Sequence, residues 1–473
     1  MFLMYNIRMN IRDNYLLTKD IETSLEEKVP IKLGINKKNE LVRLIYEITK
    51  SQKIGFEEIF KKYGFEEIIS GGKNGLFHKI KNKLVSIKYL SIEKGDNLHI
   101  MPLHMMENDT ECEVWNNDIN PKKIYIEKSI KKYPWTEAFI SHFKDAEIID
   151  INDEKEGFKI LTGEDSIGEY NRRRENVFLV KNKRTFIKKC PCTKCALGCG
   201  YTILNVGFGC AIDCTYCYLQ SYTNFPALVL PANIEDYYSH ILELDRKSSS
   251  KIRIGTGEFT DSLFLDKYTS YSKYLIPFFK NTKNIVFELK TKVKDIDTLL
   301  ENEPHDNVVV SWSINTREMS EKYEKGASSI SDRVQAAYLT AKRGFNIGFH
   351  FDPIIFYPNW EKEYEKIIKE LFSYPEIVKK TKWISLGTLR YTPGLKQISE
   401  RRFDNNLCFY EGEFYLDVDQ KLRYKREIRV DIYNKMARWI KGYVPKCWVY
   451  LCMEPKDVWD KTCLIQDDYI FKG

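Results

Sequence analysis

The spacing of apolar positions changes twice along the chain. Up to about residue 110, apolar side chains recur at helical intervals, as in "NELVRLIYEITKSQ" (Asn39–Gln52) and "FEEIFKKYGFEEII" (Phe56–Ile69). "GGKNG" (Gly71–Gly75) interrupts the run, and "LFHKIKNKLVSI" follows as a basic third helix. Three short helices of this kind suit a helical accessory domain or a helix-turn-helix module, and the plainer accessory reading is favoured. From Lys122 the period shortens. "KKIYIEKSI", "AEIIDI" and "NVFLVKN" read as strands, with "WTEAFISHF" as a helix after the first, which predicts a small α/β unit over residues 111–189.

Beyond Gly200 strand and helix alternate regularly. The predicted strands are "YTILNVGF", "KIRIGTG", "NIVFELKT", "NVVVSWSI", "NIGFHFDPII" and "WISLGTL", separated by helical stretches such as "SSISDRVQAAYLTAKRG" and "NWEKEYEKIIKELF". Six such repeats predict an α/β fold with a parallel sheet and helices outside it. Functional groups on such a sheet gather at the carboxyl ends of its strands. The expected layout is a helical segment 1–110, an α/β unit 111–189, the repeat region 190–395 and a C-terminal extension 396–473.

Composition narrows the function class only slightly. Of 473 residues, 43% are hydrophobic and 30% charged, as in a globular protein. The 74 Lys and Arg against 67 Asp and Glu leave a net charge of +7, which permits a polyanionic partner without requiring one. Basic runs at Asn171–Asn176 and Gln420–Arg429 are candidate phosphate contacts, although solvated surface is the commoner role of such runs. No apolar run reaches the length of a membrane span, and the first residues lack a signal-peptide core, so a cytoplasmic location and no membrane partner are expected.

The cysteines change the picture most. Twelve occur, and seven of them lie between Cys190 and Cys217. Clustered thiols in a reducing compartment point to metal. "GFGCAIDCTYCYLQ" places Cys210, Cys214 and Cys217 on a loop just after the first strand of the repeat region, at the carboxyl end. Three thiolates so spaced can hold three irons of a [4Fe–4S] cluster and leave the fourth open. A zinc site completed by an upstream cysteine is the competing assignment.

C-x3-C-x-aromatic-C after the first strand of six repeats resembles the radical S-adenosylmethionine superfamily. The resemblance implies a partial (β/α)6 TIM barrel, with Cys210, Cys214 and Cys217 as cluster ligands and Tyr216 near the adenine. It also implies one-electron cleavage of S-adenosylmethionine to a 5′-deoxyadenosyl radical, with a flavodoxin or ferredoxin as electron donor. The stretches "YIEKSIKKYP", "CTYCYLQSY", "WSINTREM", "KGASSISDRVQAA" and "GFNIGFHFDPIIFYPNW" resemble, in order, the spore photoproduct lyase family. That family repairs a thymine dimer in spore DNA. Tyr216 and Tyr218 match a tyrosine pair used there in radical return. One position departs. Where the family carries a hydrogen-donating cysteine after the second strand, this chain reads "GTGEFTDS", with Glu258 at that point. "GTGE" resembles instead the segment that binds the amino group of S-adenosylmethionine, with Gly255 and Gly257 admitting the cofactor and Glu258 pairing with its ammonium.

Further cofactor contacts are expected by position: Lys290 or Lys292 at the third strand end, Ser313 and Asn315 at the fourth, Arg333 on the following helix, and His350 with Asp352 on the fifth strand, both facing inward by alternation. "CPCTKCALGC" adds Cys190, Cys192, Cys195 and Cys199. Three readings stay open for it: an auxiliary Fe–S cluster, a structural zinc knuckle, or free thiols supplying the missing hydrogen donor. Cys452, near a late strand, suits a remote ligand, a hydrogen donor or a buried side chain. The leading function is a radical S-adenosylmethionine lyase acting on a DNA lesion. The alternatives are a radical enzyme modifying a peptide, tRNA or small molecule, and a non-catalytic Fe–S or zinc protein that binds nucleic acid.

Overall fold

The computed structural model describes residues 11–464 and 471, except 91–97, 99, 108, 110–111, 113–117, 162–165, 184–185, 194 and 223–224. The chain forms two compact units. One joins residues 1–113 to 390–425, and the other joins 114–389 to 426–473. These divisions fall near the expected boundaries at 110 and 396, and none falls at 190.

Among the described residues of the first unit, five helices run in sequence before the 390–425 segment: α1 (Ile11–Lys28), α2 (Ile35–Gln52), α3 (Phe56–Lys62), α4 (Phe65–Ser70) and α5 (Leu76–Lys88). The run expected to be continuous from Phe56 breaks at Gly64, whose φ of 68° is left-handed and ends the first helix there. α1 was not legible, because its apolar positions are sparse and polar Asn14 and Thr18 share its buried face. Residues 390–425 add the helix Pro393–Arg402 and three short antiparallel strands. Arg43 sits in this interior, 1% exposed, donating to Glu400, with Lys396 bound to Glu47 at 2.5 Å.

The second unit holds two sheets. The three strands expected of the small α/β unit, β1 (Lys123–Glu127), β2 (Glu147–Ile151) and β3 (Asn176–Val180), are present and pair in parallel. β4 (Ile187–Lys189) and β5 (Thr202–Leu204) form an antiparallel hairpin that opens the larger sheet. The chain then crosses back: β6 (Leu228–Pro231), which follows the three-cysteine loop, pairs with β3 in the small sheet. This return is why the small unit and the repeat region share one interior, around Tyr125, Phe178 and Val229.

β5 is followed in the larger sheet by β7 (Ile252–Gly255), β8 (Ile285–Thr291), β9 (Val308–Ser313), β10 (Asn346–Ile354) and β11 (Thr381–Thr388), each parallel to its neighbour. All six expected strands are present. A last strand, Trp448–Leu451, extends the sheet in parallel beyond β11, so the end of the chain is part of the sheet and not an appendage. Helices such as Ile330–Arg343 and Trp360–Leu371 bury one apolar stripe each. The curled, parallel-rich sheet is the expected partial barrel. Among the described residues no helix is long and apolar enough to cross a membrane.

Candidate active site at the carboxyl ends of the strands

The three-cysteine loop leaves β5 through Gly209, whose φ is 87° and where a Cβ would lie 2.9 Å from the Ala227 carbonyl oxygen. Only glycine fits there. Two straps then fix the loop. Thr215 N–H donates to the Tyr323 carbonyl at 2.7 Å, and Gly326 N–H donates to Ile212 at the same distance. On the other side Arg173, 1% exposed, donates to the Cys210 carbonyl at 2.6 Å and to the Asp213 carboxylate at 2.6 Å. The run Asn171–Asn176 is thus mostly not a phosphate contact: Arg173 and Arg174 are buried under the cysteine loop and only Arg172 is exposed. The second basic run is likewise largely self-neutralised, with Arg423 buried on Asp419 and Arg429 buried near Glu454.

Burial pushes the three thiols upward, Cys210 to about 12 and Cys214 well above its ordinary value. At Cys214 and Cys217 burial is opposed in part by the cation of Lys292. Lys292 Nζ donates to Glu324 at 2.7 Å, and Glu324 also takes Arg333 at 2.5 Å, Ser320 at 3.0 Å and the hydroxyl of Tyr216. Burial would raise the Glu324 carboxyl, yet Arg333 and Lys292 hold it well below the usual range. This buried knot gave no sequence signal, since Glu324 stands in an ordinary charged stretch.

The knot revises several expectations. Arg333, fully buried, donates to Ser328, Ser313 and Ser320 as well as to Glu324, so the structure does not bring it to an open cofactor contact. Asn315 is also committed inside, accepting from the Tyr364 hydroxyl at 2.6 Å, and Ser313 is buried with its carbonyl on Arg333. Tyr216 and Tyr218 have separate environments. Tyr216 is buried on Glu324, whereas Tyr218 is 39% exposed and donates to the Glu258 carbonyl at 2.8 Å.

Glu258 is half-buried and follows β7 on the side of Tyr218. The segment carrying it is pinned by Asp261, which accepts from Thr291 Oγ1 at 2.6 Å, Lys292 N–H at 2.8 Å and Leu263 N–H at 2.9 Å. The glycines of "GTGE" serve the protein's own packing. A Cβ at Gly255 would lie 2.0 Å from the Tyr201 hydroxyl, and one at Gly257 would lie 2.8 Å from the Lys290 Cβ.

Deeper in the barrel, Glu288 is the hub that sequence reasoning missed. It accepts from Ser311 at 2.5 Å and Trp383 at 3.0 Å and meets His350 Nε2 at 2.8 Å. Burial lowers His350, against the pull of Glu288, while His350 and Arg253 outweigh burial to hold the Glu288 carboxyl down. His350 therefore faces inward, as alternation implied, but it meets a carboxylate and not an open cavity. Asp352 and Lys290 are half-buried near the same strand ends. A lone glutamate in the apolar strand "NIVFELKT" was the available signal for Glu288.

Among the described residues no three His, Cys, Asp or Glu side chains are closed around one point. The loop nonetheless fits a cubane, in which each thiolate takes its own iron and the sulfurs need not converge on a single ion. It offers three soft ligands on a buried backbone fixed by protein bonds, with a cation beside two of them.

Residues 119–450 match the family model described as spore photoproduct lyase. The chain belongs to the spore photoproduct lyase family. It is 31% identical over 169 residues to a spore photoproduct lyase of Clostridium acetobutylicum, covering 35% of this chain and 50% of that relative. The chain thus spans half the length of that relative. Against the spore photoproduct lyase of a Geobacillus species it is 26% identical over 313 residues, covering 64% of this chain and 87% of the relative. A solved spore photoproduct lyase complexed with dinucleoside spore photoproduct superposes with a TM-score of 0.60 at 22% identity, over 70% of this chain and 99% of that one. A variant solved with AdoMet and the same dinucleoside gives 0.59 at 22% identity, over 70% and 98%. These likenesses establish the shared fold, and the matched range begins at the small α/β unit, leaving α1 to α5 outside it.

Proposed function

We propose that this chain is a radical S-adenosylmethionine lyase that acts on a thymine-derived lesion in DNA. The observation that carries the reading is the loop Cys210–Cys217, fixed at the carboxyl ends of the strands by Arg173, Tyr323 and Gly326. Family membership and the solved relative's dinucleoside spore photoproduct support the substrate class. A bound [4Fe–4S] cluster and S-adenosylmethionine would supply reductive cleavage and the 5′-deoxyadenosyl radical. The chain's own part is to hold Cys210, Cys214 and Cys217 on an unyielding loop, to place Lys292 beside two of the thiolates, and to orient Tyr218 across Glu258. Glu258 offers a carboxylate to the cofactor's ammonium, and half-buried Lys290 a cation to its carboxylate. A flavodoxin or ferredoxin is the proposed electron source.

The test is anaerobic reconstitution with dithionite, S-adenosylmethionine and dinucleoside spore photoproduct, scoring 5′-deoxyadenosine and released thymidine. Production of 5′-deoxyadenosine without repair would retain the radical reading and reject the lesion. A second substrate class, a peptide, tRNA or small molecule, is favoured by one observation: the sequence has no cysteine between Cys217 and Cys408, the stretch in which the family resemblance implies a donor thiol. Replacing Glu258 by Gln should weaken S-adenosylmethionine binding by about 1–3 kcal/mol, the loss of one charge-assisted hydrogen bond. Equilibrium dialysis with labelled cofactor measures this, and an unchanged affinity would remove Glu258 from the cofactor site.

A further inference from the structure

The second group of cysteines lies on a hairpin. β4 and β5 pair from Ile187–Leu204 to Lys189–Thr202, and the intervening loop carries Cys190, Cys192, Cys195 and Cys199. Among its described residues only Cys199 is buried. It is docked by Leu197 N–H donating to the Glu454 carbonyl at 3.0 Å and by a bridge between Ala196 and Pro455, just past Cys452. Cys190 and Cys192 place their sulfurs 3.9 Å apart. Two thiolates on one tetrahedral ion, with metal–sulfur bonds of about 2.3 Å, stand about 3.8 Å apart, so this pair already forms one edge of such a site. The thiolates of an Fe–S cubane each take a different iron and are held further apart.

We propose that Cys190, Cys192, Cys199 and Cys452 bind one thiophilic divalent cation of the zinc class, separate from the three-cysteine loop. A Cβ at Gly198 would lie 3.9 Å from the Cys192 sulfur, so the chain entering Cys199 already folds over that edge. Cys199 is buried and takes an N–H from Arg253 at 3.4 Å, a cation placed to offset the surplus negative charge of four thiolates. Cys452 is held by its N–H on Leu386 at 2.7 Å, close enough to Cys190 for its charge to act there, as Cys192 acts on Cys199. Cys195 is exposed and stands outside the set. In the structure Cys199 and Cys452 are not yet closed on the Cys190–Cys192 edge, and binding requires them to turn toward it. The ion would staple the hairpin to the turn after the last strand.

The test uses the full chain, stripped with chelator under anaerobic conditions and titrated with cobalt(II), then zinc(II). One equivalent of cobalt should give the intense charge-transfer and ligand-field bands of a tetrahedral four-thiolate site, and zinc should displace it. The wild-type spectrum counts sulfurs by itself, so the result does not depend on any variant folding. The bands should persist when Cys210, Cys214 and Cys217 are all alanine, which separates this site from the radical cluster. C190S/C192S and C452S should each lower zinc affinity at least ten-fold, while C195S keeps the four-sulfur spectrum. Absence of the bands, their loss with the three-cysteine loop, dependence on Cys195 in place of Cys452, or about eight irons and no zinc per reconstituted chain would each overturn the proposal.

Discussion

Replacement of Cys210, Cys214 and Cys217 together by alanine should reduce 5′-deoxyadenosine formation to the background of the uncatalysed mixture while leaving the fold intact. The three sulfurs are the soft ligands of a loop fixed at both ends, and none of them carries the hydrogen bonds that hold it. Those bonds run from Arg173 to the Cys210 carbonyl, and from the Thr215 and Gly326 backbone N–H groups to the carbonyls of Tyr323 and Ile212. Alanine keeps every one of these main-chain partners. Loss of turnover should therefore accompany loss of reconstituted iron, with the far-ultraviolet circular dichroism spectrum and melting temperature close to those of the parent. Unchanged 5′-deoxyadenosine would reject the loop as the radical centre. A collapse of the fold would show that the thiols support the structure directly.

The second large effect concerns a residue that touches no cofactor. Arg173→Ala should destabilise the chain by about 3–5 kcal/mol, the usual cost of removing one partner from a buried ion pair. Arg173 and Asp213 are each 2% exposed at the side chain and 2.6 Å apart, and the same guanidinium holds the Cys210 carbonyl. Truncation removes the close arm of this pair and leaves Arg174 Nη2 4.0 Å from the Asp213 carboxylate. Asp213 itself has a φ of 56°, so the turn between the first two cysteines is held in a sparsely populated conformation by its surroundings. Iron uptake should fall along with melting temperature. Arg173→Lys should restore part of the stability but less of the iron uptake, because an ammonium cannot reproduce the planar fork. Arg172→Ala, at an exposed neighbour, is the control, and both readouts should stay at the parent level. Parent-like iron uptake in Arg173→Ala would show that the loop keeps its shape without the clamp.

The chemistry of the site was legible where residue type alone decides it. Three cysteines on a short loop after a strand state their ligand capacity without any knowledge of neighbours. That no cysteine stands between Cys217 and Cys408 is likewise a fact of the sequence. Roles that depend on what lies opposite were not legible. A run of arginines reads the same whether it meets phosphate or a carboxylate from elsewhere in the chain. Here Asp213 lies 40 positions away from Arg173, and no local pattern links them. Arg333 was placed correctly on its helix, but Glu324 claims it, and only packing shows that.

By itself the sequence determined the alternation of six apolar strands with amphipathic helices, because side-chain period and burial are local consequences of residue order. It determined also that the three-cysteine loop falls at the carboxyl end of β5. The tertiary structure alone decided that β6 returns to the small sheet, that residues 390–425 fold with the first helices, and that Trp448–Leu451 extends the barrel. Each is a choice among distant partners of similar apolar character, settled by which pairing buries the edge. The same holds for Glu288. Its charge in an apolar strand was visible, but that His350, Ser311 and Trp383 would satisfy it followed only from neighbouring strands meeting in register around a curled sheet.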